Sequence, residues 1–368
     1  MMMNCQRVAC ALIAMAAILG AWTADASACT SVRLKADDGA VVYVRSVEFG
    51  SDCLTDAALL IVPRGYEITG TAPGGKPGLK WKAKHAMVGG ALANQLALID
   101  GMNEKGLAVG GLYLPGFAEY PKVGPDEFAK ALAPHEYALW LLTNFATVEE
   151  VRKALSQAIV ADVVLTYWGF APPCHWVVHD ADGKCIVIEF VKGKMNVHDN
   201  PLGVLTNSPT FDWHMTNLRN YINLTATAVP PLEIDGMEFA QFGSGSGMRG
   251  IPGDYTPPSR FVRAVALSRT AVPGKTAEEA VQQGFHVLSA FDIPAGSVRD
   301  RHGKTILMDR TWYTVAADTK NKRYYFHTND NRRVRVIDLT KVNLDAKDTV
   351  FIPMKGKEDV QDLTPKKK

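Results

Sequence analysis

Residues 23–35 read TADASACTSVRLK, and the run continues to Gly50 as ADDGAVVYVRSVEFG. Two β-rich runs, 30–36 and 40–48, flank Asp37-Asp38-Gly39, a turn signal, so the stretch is predicted to be a hairpin. What lies upstream has a different character. Arg7 gives a short positive start, residues 8–22 (VACALIAMAAILGAW) form an apolar core, and Ala26 and Ala28 are small residues where a signal peptidase reads. The apolar run is shorter than the ~20 residues a membrane-spanning helix needs. Residues 1–28 therefore read as a secretory signal peptide, whose removal would leave an exported chain, periplasmic or secreted, that begins at Cys29 and has no stable membrane anchor.

A cysteine at that position has three readings. It could be lipidated, although a lipid signal wants a Leu-like residue three places before it and Ala26 stands there. It could be half of a disulfide, with Cys53 as a partner. Or it could be a nucleophile whose own freed amine is the base. A terminal amine has an ordinary pKa near ~8 and a thiol near ~8.5, so the amine can take the thiol proton directly or through a water.

Composition restricts the class. The chain has 368 residues, 47% hydrophobic and 21% charged, with formal net charge +2, and its only basic run is the tail TPKKK. That is ordinary globular composition and not a nucleic-acid footprint. Downstream of the signal remain Cys29, Cys53, Cys174 and Cys185, too few for a disulfide framework in a chain this long. Cys174 and Cys185 flank an expected hairpin and could pair or be two buried thiols. There is no C-x-x-C and the nine histidines are scattered, so no metal or other cofactor is expected.

Further along, strands are expected at 58–65 and as two runs within 96–116 around the turn NEKG, with 66–84 as a surface loop. Helices are expected at 134–146, at 147–157 with Thr147 and Glu150 in capping register, over FDWHMTNLRNYIN, over SRFVRAVALSRT, and from Thr276 with Glu279 as its capping partner. Strands are expected again at 161–166, 174–180 and 185–192 and from 303 onward, whereas 225–258 is Gly-, Pro- and Ser-rich without a period. The order strands, helices, strands, helices, strands has little βαβ rhythm. It predicts an α+β architecture of mainly antiparallel sheets in one domain, residues 29–355, followed by a basic polar tail, 356–368.

The stretches CTSVRLKADDG, LIVPRGY, DGMNEKGLAVGGLYLPG, GFAPPCHWVVHDADGKCIVIE, VLTNSPTFDWHMTNLRNY and GIPGDYTPPSRFVRA occur in register along the chain. Together they resemble the choloylglycine hydrolase and penicillin V acylase family, N-terminal nucleophile cysteine hydrolases that cleave linear amides. The resemblance implies a four-layer αββα fold and places the nucleophile on Cys29. It places an arginine beside the sulfur on Arg45, whose guanidinium would favour thiolate. It places the anchor of the nucleophile's amine on Glu48, where the family commonly has an aspartate. Asn207 and the backbone N–H of Tyr113 would form the oxyanion hole, and Arg260 matches a second arginine near the nucleophile. Taken without the resemblance, each of these residues also has an ordinary structural role.

The implied substrate is a small-molecule amide with an apolar acyl group. Loops 49–57, 79–94, 114–133 and 161–171 would build its pocket, with Trp81, Phe117, Tyr120, Trp140 and Trp168 as candidate lining residues, each of which could equally be core. Penicillin V ranks first, conjugated bile salts second, and acyl-homoserine lactones or other long-chain acyl amides third. A secreted non-catalytic protein on the same fold is the rival from another class. Residues 225–258 match a segment that projects from the core in tetrameric relatives, which implies a homotetramer.

Overall fold

The computed structural model describes residues 28–50, 52–92, 95–302 and 304–365. The expected signal peptide, but for Ala28, lies outside the described residues.

In chain order the strands of the two large sheets are β1 (Cys29–Lys35), β2 (Val41–Phe49), β3 (Ala57–Val62), β4 (Met87–Leu92), β5 (Leu98–Asn103), β6 (Ala108–Tyr113) and β7 (Cys174–His179). They continue with β8 (Cys185–Val191), β9 (Lys194–Asp199), β10 (Val298–His302), β11 (Thr305–Asp318), β12 (Arg323–Thr328), β13 (Arg335–Asp338) and β14 (Val350–Pro353). The α-helices are α1 (Pro134–Asn144), α2 (Val148–Ala154), α3 (Phe211–Asn217), α4 (Pro257–Thr270) and α5 (Ala277–Ser289).

One sheet runs β1-β2-β11-β12-β13, with β10 also on β11; the other runs β9-β8-β7-β6-β5-β4-β3-β14. Every pairing in both sheets is antiparallel. Helices α4 and α5 pack on the first sheet and α1 on the second. The layers are therefore helix, sheet, sheet, helix, the expected αββα sandwich. One apolar core fills the space between the sheets and under α5, where Val32, Val44, Phe261 and Val315 are fully buried; a second lies between the other sheet and α1, around Leu139, Trp176 and Ile188.

The opening hairpin forms as predicted, with Cys29 opposite Val47 and Lys35 opposite Val41. Gly39 turns the chain at φ +81°, a conformation that costs glycine little, and the Asp38 carboxylate accepts from the Ala40 N–H at 2.9 Å. All nine residues of β2 are buried, because this strand has a sheet on one face and helices on the other. The two sheets approach closely at Gly110, where a Cβ would meet the Tyr43 hydroxyl at 1.9 Å. Both predicted N-caps are present: Thr147 Oγ1 accepts from Glu150 N at 3.1 Å, and Thr276 Oγ1 from Glu279 N at 3.3 Å.

Some expectations need correction. Residues 66–84 are not a loop but contain a hairpin, Glu67–Ala72 with Lys76–Lys82, whose inward positions Ile68, Gly70 and Ala72 are too small to stand out as an apolar alternation. Residues 161–166 are not a strand; Ile159 and Val160 pair in parallel with Ala131 and Leu132, and Leu165 makes only an isolated bridge with Phe170. Cys174 and Cys185 are free thiols at opposite ends of the β7–β8 hairpin, where His179 and not Cys174 faces Cys185. Residues 225–258 contain a short hairpin, Leu232–Ile234 with Met237–Phe239.

Candidate active site

Cys29 opens β1 at the edge of the first sheet, buried, with a free thiol. The side chain of Cys53, the disulfide partner considered for it, lies outside the described residues. The Cys29 backbone nitrogen donates to Asn207 Oδ1 at 2.7 Å. Arg260, one turn into α4 and buried, donates through Nη2 to the same Oδ1 at 2.7 Å, through Nη1 to Thr30 Oγ1 at 2.9 Å, and through Nη1 to the Cys29 carbonyl. Asn207 Nδ2 donates to Tyr113 O at 2.9 Å. Two donors on one end of the amide and a carbonyl on the other leave a single sensible orientation for this side chain.

Tyr113 ends β6 opposite Cys174. The next residue, Leu114, bonds Pro173 O at 2.7 Å, and Cys174 N bonds the Tyr120 hydroxyl at 2.8 Å. In an antiparallel ladder that alternation makes Tyr113–Cys174 a non-bonded pair, so the Tyr113 N–H turns away from β7.

Arg45 lies one face of β2 over from Glu48. Strand alternation puts Arg45, Val47 and Phe49 on one side, and all three line the cavity that holds Cys29. Arg45 Nη1 donates to Gly111 O at 2.8 Å and Ile99 O at 3.2 Å and lies 3.8 Å from Asp100 Oδ2. Burial pushes the Cys29 thiol up from its ordinary value; Arg45 pulls it down, Glu48 pushes it up, and Arg260 pulls it down. Arg45 thus pulls toward thiolate, but desolvation is the larger effect in a chain where the Cys29 nitrogen is still an amide.

In this chain the Cys29 nitrogen is a peptide amide whose single proton goes to Asn207, and Glu48 makes no hydrogen bond to it. Its Oε1 accepts from Thr311 Oγ1 at 3.2 Å, its Oε2 has no partner among the described residues, and its backbone N–H donates to the Ala28 carbonyl at 2.9 Å. Burial raises its pKa to about 8, against the pull of Arg260 and Arg45. The Glu48 side chain lies on the other face of β2 from Arg45, with Thr311 beside it.

The cavity at Cys29 has a volume of about 50 Å³ and walls that include Phe49, Leu54, Tyr113, Leu165 and Trp168. Trp168 stacks on Phe49 (centroids 5.3 Å apart, planes at 25°), and Tyr113 meets Phe49 edge-on at 5.3 Å. Of the five aromatic residues singled out from the sequence, only Trp168 lines it. Trp81 donates to Thr143 Oγ1 at 2.9 Å and packs under α1, Trp140 is stacked on Tyr137 in that core, and the buried Tyr120 donates to Pro172 O at 2.6 Å. Phe117 is exposed and lies off the cavity. Phe49 opens the loop 49–57 expected to build the pocket; the strand runs one residue past its expected end and carries Phe49 on the face of Arg45.

A family model of linear amide C–N hydrolases, the choloylglycine hydrolase family, matches residues 29–352, starting on Cys29 itself. The chain belongs to this family. A bile salt hydrolase/transferase from Clostridium perfringens is 34% identical over 319 residues, covering 86% of this chain and 94% of the relative. The crystal structure of a variant conjugated bile acid hydrolase from the same species superposes with a TM-score of 0.80 at 30% identity, over 91% of this chain and all of that one. A penicillin V acylase from Agrobacterium tumefaciens superposes with a TM-score of 0.70 at 27% identity, over 88% and 90% of the two chains. This choloylglycine-family member is a hydrolase of linear amide C–N bonds on an N-terminal nucleophile fold. Among the described residues no cluster of three His, Cys, Asp or Glu side chains is arranged to hold a metal, and no helix is long and apolar enough to cross a membrane.

Proposed function

We propose that cleavage before Cys29 during export creates the enzyme, and that it hydrolyses the amide of a penicillin V-type substrate, one with a compact aryl-bearing acyl group. The observation that carries the reading is the convergence on Cys29 of Asn207, Arg260 and the Tyr113 strand end beside an aromatic cavity. The freed α-amine takes the thiol proton and the Cys29 sulfur attacks the amide carbonyl carbon. The oxygen becomes an oxyanion that receives the second Nδ2 proton of Asn207 and the Tyr113 N–H. Collapse breaks the C–N bond, the α-ammonium returns its proton to the leaving nitrogen, and a thioester remains. Water, deprotonated by the same amine, then releases the acid.

In this mechanism Arg260 polarises Asn207 and Arg45 stabilises charge at the sulfur. The compact-acyl preference follows from the small cavity, which the stacked rings of Trp168 and Phe49 line. A flat aryl ether needs less opening than a steroid, and bile salts are the second reading because of the C. perfringens relatives. The enzyme is read as a homotetramer that contacts its copies through the hairpin at 232–239. Leu232, Ile234, Met237 and Phe239 share one face of that hairpin, and each is 49–61% exposed. A two-stranded hairpin with one apolar face is marginal alone and needs a cover.

The test is release of amine from penicillin V, glycocholate and an acyl-homoserine lactone, with Cys29→Ser as control and the intact mass of the exported chain measured alongside. Unchanged activity in Cys29→Ser, or a mature terminus elsewhere, overturns the mechanism. A clear preference for glycocholate overturns the substrate assignment alone.

A further inference from the structure

Behind Asn207 lies a buried ion pair that the proposed chemistry does not use. His175 on β7 and Glu189 on β8 stand one pair beyond the Trp176–Ile188 register, and both are buried. His175 Nδ1 is 2.8 Å from Glu189 Oε1, and His175 Nε2 is 2.9 Å from Thr206 O. A carbonyl can only accept, so Nε2 carries a proton and donates to Thr206 O. The other contact is made by one further proton held between ring and carboxylate.

Glu189 Oε1 also accepts from the Phe211 N–H at 3.0 Å. The pair thus grips the chain on both sides of Asn207, at Thr206 O and at Phe211 N. A third contact closes the arrangement: His214 Nε2 donates to the Asn207 carbonyl itself at 2.8 Å, its ring stacked on Phe261 with centroids 4.7 Å apart. Two histidines therefore hold the carbonyls of consecutive residues, 206 and 207, and fix the peptide from which the Asn207 side chain departs. Asn207 must satisfy Cys29 N, Arg260 and Tyr113 O together and still present a proton to the substrate. A shift of one ångström there breaks at least one of these contacts.

Stability does not account for the pair. A buried, hydrogen-bonded His–Glu pair gives little net stabilisation compared with well-packed apolar residues of the same size. We infer that His175 and Glu189 are positioning residues that act on catalysis through Asn207, with His214 as their counterpart on the other carbonyl. This rests on the role proposed for Asn207.

The experiment is a double-mutant cycle with steady-state kinetics on the amide that the wild-type enzyme hydrolyses best. His175→Gln is expected to lower kcat about 10²-fold with KM changed less than about threefold, since ground-state binding in the aromatic cavity does not involve this pair. In an Asn207→Ala background the same substitution is expected to cost less than about threefold more. Should His175→Gln fail to fold, Glu189→Gln, which keeps an acceptor for Phe211 N, makes the same test. Full multiplicative loss in the Asn207→Ala background, or a rise in KM matching the fall in kcat, overturns the inference. An Asn207→Ala enzyme with undiminished kcat refutes instead the role given to Asn207.

Discussion

The backbone nitrogen of Cys29 and the side-chain oxygen of Asn207, 178 residues apart in the chain, are 2.7 Å from each other. One amide group therefore faces the nucleophile's nitrogen with its oxygen and Tyr113 with its nitrogen. Asn207→Asp separates these roles. It keeps an acceptor for Cys29 and Arg260 but has no proton for an oxyanion. The expected outcome is a fall in kcat of about 10²–10³-fold, with some loss of stability because the second carboxylate oxygen then faces the Tyr113 carbonyl. Asn207→Ala should lose as much rate and also destabilise, because Arg260 then keeps a buried N–H without a partner. Parallel kinetics and melting curves check both.

Glu48 gives a pH-dependent prediction. Its carboxyl, raised by burial to about 8, keeps its proton in the folded chain where the unfolded chain, with an ordinary value of 4.5, has released it. The folded state binds more protons, so stability falls as pH rises from about 4.5 to about 8. Buried His214 and His327, lowered to about 4 by desolvation, act oppositely, but only up to their ordinary value of 6.5. The clean window is therefore pH 6.5–8. In a chain that retains Ala28, denaturant unfolding should lose on the order of 1–2 kcal/mol across it, and Glu48→Gln should flatten the slope. An equal slope in the two proteins would falsify the assignment.

What was legible in the sequence divides along physical lines. The Cys29 hairpin was readable because turn chemistry and strand runs are local, and Asn207 and Arg260 because they sit in stretches that resemble a known family. The aromatic wall was not. Trp81, Tyr120 and Trp140 belong to the core under α1, on the far side of the second sheet, and hydrophobicity is the same on either side of a sheet. Parity along a strand is more informative: Phe49 is two pairs of steps from Arg45 and shares its face. Glu48, one step from Phe49, does not, and lies beside Thr311 instead. The hairpin within 66–84 was hidden by glycines that pack close to Ala131 and Leu132, where a Cβ at Gly70 would lie 2.5 Å from the Leu132 side chain.

Assembly can be tested at the projecting hairpin. Met237→Ser with Phe239→Ser removes half of its apolar face and touches nothing in either core. The expected outcome is a shift from tetramer toward smaller species in light scattering, with the kcat of the remaining folded chain within about twofold. A wild-type protein that is monomeric at micromolar concentration, or a variant with unchanged mass, would refute the hairpin as the contact.

Trp168 bears on substrate choice. Its ring stacks on Phe49 and on Phe170, 5.3 and 5.8 Å between centroids, and it lines the cavity at Cys29. Trp168→Ala removes that wall without touching Cys29, Asn207 or Arg260. A compact aryl acyl group then loses stacking, worth about 1 kcal/mol, while a steroid gains room it lacked. The ratio of kcat/KM for penicillin V over glycocholate should fall by on the order of tenfold, with kcat for the better substrate retained. If both substrates lose rate equally, Trp168 holds the loop at 165–170 in place and does not select the acyl group.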